Sequence, residues 1–200
     1  MNLALFATGD GNTPLSPEEQ IELIPDLSTR DELNEWERQN ILEAANWAFA
    51  PKNIFQKDML TSAFVCELHR RMFNATWKWA GMFRSSEKNI GIPHHQVRET
   101  LAVLLGDTRY WLEHQTYPSN ELAIRFHHRL VAIHCFPNGN GRHARLMADV
   151  LIQQQGMPVF TWGGTNKNIA RPGEIRQQYL DALRSADRND IQPLLLFART

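Results

Sequence analysis

Residues 134–145 hold the densest group of chemically useful side chains in this sequence, His-Cys-Phe-Pro-Asn-Gly-Asn-Gly-Arg-His-Ala-Arg. Gly139 and Gly141 stand where a helix is expected to begin, and a missing Cβ lets backbone N–H groups approach a ligand closely. The first N–H groups of a helix lack internal partners and carry positive potential. The segment therefore predicts an anion-binding helix N-terminus of the kind that holds phosphate.

Charged and titratable side chains flank these glycines. Arg142 and Arg145 are three residues apart, which places them on one face of the helix, and each can hold a phosphate through a bidentate fork. His134 ends the preceding helix at the opposite rim of the loop, where an imidazole can accept a proton from an attacking hydroxyl. A plain helix–turn–helix, with a capping His134 and two solvated arginines, remains the structural alternative.

Composition sets the broad class. The 200 residues suggest one domain, and 42% apolar with 22% charged residues favours a packed core over disorder. With 21 basic and 22 acidic residues the formal charge is -1. We therefore expect no direct nucleic-acid binding and no attraction to a membrane surface.

The two cysteines, Cys66 and Cys135, do not form a disulfide framework, which fits a reducing compartment. The first residues lack the basic start of a signal peptide. No stretch of about 18 apolar residues is present. These features predict a cytoplasmic protein.

Hydrophobic periodicity predicts an all-α protein, a helical bundle with one small β-hairpin flap. Apolar positions such as Leu33, Trp36 and Ala44 are expected to face the core. Ser16, Thr29 and Ser119 are expected N-caps. The expected helices cover residues 16–24, 29–47, 59–73, 95–114, 119–134, 140–155, 173–185 and 190–198.

Two segments break the helical pattern. Residues 77–93 hold Gly81, Gly91 and Pro93, which indicates a short hairpin or an extended flap. Residues 1–15 read as an extended lead-in, with a turn at residues 9–12.

The segment at 134–145 resembles the Fic family signature, His-x-Phe-x-(Asp/Glu)-Gly-Asn-Gly-Arg-x-x-Arg. Residues 81–84 and 89–92 resemble the family's flap, and residues 179–183 resemble its C-terminal helix. The lead-in at 11–15, with residues 29–34 and 36–41, is similar to the branch called mobile mystery protein B. This resemblance implies a Fic domain over residues 55–200, with an N-terminal extension and helices over residues 1–54 packing on it. The signature positions matched are His134, Phe136, Gly139, Asn140, Gly141, Arg142 and Arg145.

The resemblance implies a protein adenylyltransferase, which moves AMP from ATP, with Mg²⁺, to a Ser, Thr or Tyr hydroxyl of a target protein. His134 would be the general base and Phe136 would anchor the loop. The implied nucleotide-binding residues are Gly139, Asn140, Gly141, Arg142, Arg145, Ile90, Gly91 and Tyr179.

Asn138 departs from the signature, because the family places an acidic metal ligand there. An amide oxygen can coordinate Mg²⁺ but brings no charge, so metal binding is expected to depend more on the phosphates. Three alternatives stay open: a nucleotide-binding pseudoenzyme, transfer of another phosphate-containing group, and a toxin or regulatory module of a mobile element. The last would have a co-encoded helix-turn-helix protein or an antitoxin as partner.

Two further hypotheses concern regulation and metal binding. Many Fic proteins carry an inhibitory (Ser/Thr)-x-x-x-Glu-(Gly/Asn) helix whose Glu pairs with the second motif arginine. Ser28 and Glu32 have that spacing, although a capping box with Thr29 also explains Glu32, and Glu37 is a second candidate. A zinc site is a separate hypothesis, built on His127, His134, His128 and His143.

Overall fold

A computed structural model of the chain describes residues 13–164 and 173–200, and helices dominate both ranges. The all-α prediction is confirmed. The turn expected at residues 9–12 lies outside the described residues. The helices are α1 (Pro17–Gln20), α2 (Arg30–Phe49), α3 (Pro51–Ile54), α4 (Ser62–Phe73), α5 (Val97–Glu113), α6 (Ser119–Ile133), α7 (Asn140–Gln154), α8 (Glu174–Asp187) and α9 (Gln192–Arg199), with a 3₁₀ turn at His94–Gln96.

Local sequence signals set most helix starts. Ser16 and Thr29 each form a complete capping box, with Glu19 and Glu32 as the reciprocal partners. The prediction for Ser119 is wrong: it is the first residue of α6 and caps nothing. The helix begins one residue earlier than a serine cap would place it, because the Pro118 carbonyl already accepts the Leu122 N–H.

The bundle centres on the antiparallel pair α6 and α7, which the loop at residues 134–139 joins. Helix α2 packs on α4, α5 packs on α6, and α8 packs on α9. The core positions expected on α6 are all buried: Leu122, Phe126, Leu130 and Ile133. Within the described residues, no helix combines the length and the apolar composition needed to cross a membrane.

Helix α2 buries an unexpected face. Trp36 was expected in the core, but 45% of it is exposed and its indole N–H donates to the Ala75 carbonyl. The face that turns inward carries Leu33, Glu37, Asn40, Ala44 and Ala48. The two polar members of this face are accommodated because each has a buried hydrogen-bond partner.

The flap at residues 77–93 is built from turns, bends and irregular backbone, and the described residues contain no paired strands there, so the hairpin is not formed. An isolated antiparallel bridge joins Leu23 to Trp77 instead. The buried Arg84 guanidinium holds the flap, donating to the backbone carbonyls of His134 (2.6 Å), Ser86 (3.0 Å) and Ile92. The hydrogen bonds of the Arg84 side chain thus hold the flap in place of the expected strand pairing.

Four histidines are buried, namely His69, His127, His134 and His143. Burial lowers the pKa of each, to about 4 for His134 and about 3 for His143. The folded chain therefore keeps these imidazoles neutral at pH values where the unfolded chain protonates them.

We expect the free energy of unfolding to fall between about pH 6.5 and about pH 5. In this window the unfolded histidines bind protons that folded His134 and His143 do not, which costs about 2 kcal/mol for each at pH 5. Urea unfolding at pH 7, 6 and 5 measures this slope. Equal stability at all three values would contradict the neutral, buried state.

Candidate active site

The loop between α6 and α7 makes its turn with two left-handed residues. His134 ends α6 at φ 57° and ψ 63°, and Gly139 precedes α7 at φ 78°. A Cβ on Gly139 would lie 2.5 Å from the Phe73 ring, so a side chain there would need both strain and displacement. The reversal brings the C-terminus of α6 beside the N-terminus of α7.

The Asn140 side chain closes this loop. Its Oδ1 accepts the Phe136 N–H at 2.9 Å, and its Nδ2 donates to the Phe136 carbonyl at 2.8 Å. The Phe136 ring is fully buried and stacks on His69 with ring centroids 3.7 Å apart. These contacts fit the anchoring role that the resemblance implies for Phe136.

His69 is a residue of this site that sequence reasoning missed. Its Nδ1 accepts the Gly81 N–H at 3.0 Å, so in the neutral ring Nε2 carries the proton and donates to the Asn138 carbonyl at 3.1 Å. His69 thereby links Gly81 of the flap to the loop between α6 and α7. No motif marks it, although its place on the buried face of α4 is visible as periodicity.

A cavity of about 600 Å³ opens over the N-terminus of α7, a volume typical of small-molecule sites. Its walls come from the loop, the flap, α2, α6 and α8. All ten residues predicted for the site line it: His134, Asn138, Gly139, Asn140, Gly141, Arg142, Arg145, Ile90, Gly91 and Tyr179.

The cavity wall is rich in arginine. Arg142 and Arg145 project from α7, and Arg30, Arg176 and Arg184 come from α2 and α8. Among the described lining residues the acid is Asp187, whose carboxylate contacts His128. Together with the N-terminus of α7, which no side chain caps, these guanidinium groups suit a polyanionic ligand.

Each motif arginine has a partner. Arg142 Nη1 lies 2.6 Å from Glu37 Oε2, and its guanidinium lies over the Phe73 ring. The other Glu37 oxygen accepts the Trp77 indole N–H at 2.8 Å. Arg145 lies over the Tyr179 ring, 5.1 Å from its centroid.

The inhibitory contact expected for Glu32 is not formed. The Glu32 carboxylate accepts the N–H groups of Ser28 and Thr29, so it serves the capping box. Glu37 does reach the motif, but it pairs with Arg142, the first motif arginine. The register of α2, which places Leu33 and Asn40 on the same face, was the signal that could have identified Glu37 as buried.

His134 is neutral near pH 7. Burial, together with the charges of Arg84 and Lys88, lowers its pKa to about 4, although the Val131 backbone carbonyl acts in the opposite direction. Its Nε2 lies 2.8 Å from the Thr13 hydroxyl oxygen. A neutral imidazole in contact with a hydroxyl is the arrangement that general-base chemistry requires.

Asn138 is placed as a turn residue. Its Oδ1 accepts the Gly139 N–H at 2.7 Å and its Nδ2 donates to the Thr13 carbonyl at 3.0 Å. Mg²⁺ sites usually include a carboxylate, and the loop supplies none. The residues present therefore do not fit a Mg²⁺ ion held by the protein.

The zinc hypothesis is wrong for the described residues. His127 Nε2 contacts the Tyr179 hydroxyl, His143 Nε2 contacts the Val65 carbonyl, and His128 contacts Asp187. These rings have separate partners and form no shared cluster. Tyr179 itself is buried and forms part of the cavity wall.

The chain resembles known proteins in both sequence and fold. Residues 59–152 match the Fic/DOC family. Protein adenylyltransferase Fic of Drosophila virilis is 31% identical over 150 residues, which cover 72% of this chain and 29% of that protein. Protein adenylyltransferase Fic of Drosophila mojavensis is 30% identical, with 72% and 28% covered.

Solved structures show the same fold. Fic-1 from C. elegans is 24% identical with a TM-score of 0.65, covering 91% of this chain and 52% of that one. BepC from Bartonella tribocorum, solved with bound AMPPNP, is 17% identical with a TM-score of 0.67, covering 92% and 97%. The chain therefore contains a Fic domain, which the family match places at residues 59–152. It spans less than a third of the curated relatives' length, and the mobile mystery protein B branch stays a prediction.

We expect Gly91→Ala to displace the imidazole of His134. Gly91 lies at φ 103°, and a Cβ there would lie 2.6 Å from the His134 Cβ and 3.2 Å from Arg84 Nη2. The variant should lose about 1–3 kcal/mol of stability through strain, and the His134 imidazole resonances should shift. Urea unfolding and NMR of the ring protons measure both effects.

Gly106→Ala is the matched control, because a Cβ at that helical position meets nothing within 4 Å. It should be neutral or stabilise by up to about 1 kcal/mol. If Gly91→Ala and Gly106→Ala had the same stability and the same His134 resonances, Gly91 would not be needed to position His134.

Proposed function

We propose that this chain transfers AMP from ATP to a side-chain hydroxyl of a protein, with His134 as general base. The observation that carries the proposal is the position of a neutral His134 beside the N-terminus of α7, in one cavity with Arg142 and Arg145. A base, an anion site and room for a nucleotide are the parts that such a transfer needs.

The relatives support the same chemistry. The curated proteins at about 30% identity are named protein adenylyltransferase Fic, and the structures of similar fold include one with bound AMPPNP and one with bound ADP. These names favour nucleotide binding and AMP transfer here.

The reaction follows from the arrangement of the chain's own groups. The hydroxyl gives its proton to His134 Nε2 while its oxygen attacks the α-phosphorus. The bond from that phosphorus to the oxygen that bridges it to the β-phosphorus breaks, and pyrophosphate leaves with that oxygen. The N–H groups at Gly141 and Arg142, together with the two motif guanidinium groups, would hold the phosphate charge. Any Mg²⁺ would arrive with the triphosphate substrate, because Asn138 stands where the family has a carboxylate.

Glu37 is expected to tune nucleotide affinity. Its carboxylate already neutralises Arg142, so a phosphate group must compete with a buried ion pair. The Trp77 indole keeps the carboxylate in place. This competition would weaken ATP binding relative to a cavity with an unpaired Arg142.

The partners and the cellular setting belong to the same proposal. The target would be a protein that presents a Ser, Thr or Tyr hydroxyl, and a co-encoded helix-turn-helix protein or antitoxin would be a regulatory partner in the cytoplasm. Asn138 favours a second candidate, a module that binds nucleotide without turnover.

We expect His134→Ala to abolish transfer while ATP binding persists. Loss of a general base costs about 10²–10⁴-fold in rate, and the side chain makes no contact with the phosphate-binding arginines. Labelling of lysate proteins with α-labelled ATP and calorimetric ATP binding measure the two properties. His114→Ala, an exposed histidine outside the cavity, is the control.

Wild-type transfer rates in His134→Ala would remove His134 from the mechanism. ATP binding without any labelling by the wild-type protein would favour the module without turnover.

A further inference from the structure

Residues 13–20, the N-terminal strap, reach the cavity at Thr13. Thr13 is 7% exposed and lines the cavity wall. Its hydroxyl oxygen lies 2.8 Å from His134 Nε2, and its carbonyl accepts from Asn138 Nδ2 at 3.0 Å. The strap therefore places one of the chain's own hydroxyl groups between the base and the loop before α7.

The strap is anchored on the flap side by several contacts. Lys88 Nζ donates to the Pro14 carbonyl at 3.1 Å and forms an ion pair with Glu19. The Trp79 indole donates to the Glu19 carbonyl at 3.2 Å. The capping box at Ser16 begins α1 within the strap. Thr13 is thus held on both sides, with its hydroxyl against His134.

We propose that Thr13 is an acceptor of the transferred group, so that the chain modifies itself in cis; this inference rests on the proposed function. Its hydroxyl satisfies the geometric requirement for a base and its substrate, about 2.6–3.2 Å between heavy atoms. Holding the acceptor inside the same chain removes the entropic cost of bringing two molecules together.

The step balances without any further reactant. With the neutral His134 proton on Nδ1, the Thr13 hydroxyl donates its proton to Nε2 as Oγ1 bonds to the α-phosphorus of ATP. The bond from that phosphorus to the bridging oxygen breaks, and pyrophosphate leaves. The products are a Thr13 adenylyl phosphodiester, pyrophosphate, and a proton that His134 returns to solvent or to the leaving group.

Other hydroxyls near the cavity are engaged elsewhere. The Tyr179 hydroxyl contacts His127, and the Ser16 side chain accepts the Glu19 N–H. Among the described residues, Thr13 supplies the hydroxyl in contact with His134. Because the strap occupies the place where a target hydroxyl must approach, self-modification and target modification compete for one base.

The test compares the wild-type chain with Thr13→Val, Thr13→Ser and Thr116→Val. Valine keeps the shape of threonine without the hydroxyl, serine restores the hydroxyl, and Thr116 is an exposed threonine outside the cavity. Each protein is analysed by intact mass and peptide mapping, as purified and after incubation with ATP and Mg²⁺. Circular dichroism confirms that each variant is folded.

We expect one adenylyl group on the peptide that contains Thr13 in the wild-type, Thr13→Ser and Thr116→Val proteins. In Thr13→Val this label should fall to the level of His134→Ala. The fraction labelled per minute should not depend on protein concentration, and Thr13→Val should not label His134→Ala when the two are mixed. Labelling at another residue, or of the mixed His134→Ala chain, would overturn the proposal.

Lysate labelling by Thr13→Val separates this inference from the proposed function. If lysate proteins are labelled in a His134-dependent manner while Thr13 of the wild-type chain stays unmodified, the strap only fills space in the cavity and the self-modification proposal fails alone. If neither lysate proteins nor Thr13 are labelled, both proposals fail.

Discussion

The reciprocal hydrogen bonds between the Asn140 side chain and the Phe136 backbone are the constraint on which the site depends. They close the loop after His134 and fix where α7 begins, so the base and the anion site share one rigid element. The buried Phe136 ring stacks on His69 and anchors that loop to α4. Without this closure, the two ends of the helices would have no fixed relation, and neither His134 nor the N–H groups of α7 would face a common ligand.

Burial then sets the electrostatics of the cavity. It keeps His134 neutral, so the imidazole has a free lone pair near pH 7, and the charges of Arg84 and Lys88 act in the same direction. The same positive surroundings favour a triphosphate and disfavour an imidazolium. Glu37 offsets part of this charge by pairing with Arg142. The strap adds a contact beside the loop before α7, where the Thr13 hydroxyl lies against His134.

The sequence predicted what local patterns can encode. Capping boxes at Ser16 and Thr29, the periodicity of α6 and the glycine-containing loop all act over a few residues, and the structure has them. The contacts that sequence reasoning missed join residues that are far apart in the sequence. Arg142 meets Glu37 across 105 positions and His134 meets Thr13 across 121; the register of α2 indicates that Glu37 is buried, but no local pattern indicates either pairing. The flap does not form a hairpin because Arg84, a residue of the flap itself, donates to the carbonyls of Ser86, Ile92 and the distant His134 in place of a strand ladder.

The most direct test of the account is a crystal structure of the wild-type chain with AMPPNP. We expect the phosphates to contact the N-terminus of α7 and the guanidinium groups of Arg142 and Arg145, with the α-phosphorus on the Nε2 side of His134. That arrangement would place base, acceptor position and leaving group in one line. A nucleotide bound in the same cavity with its phosphates directed away from α7, or bound elsewhere on the chain, would contradict the central claim that this helix terminus and His134 form one transfer site.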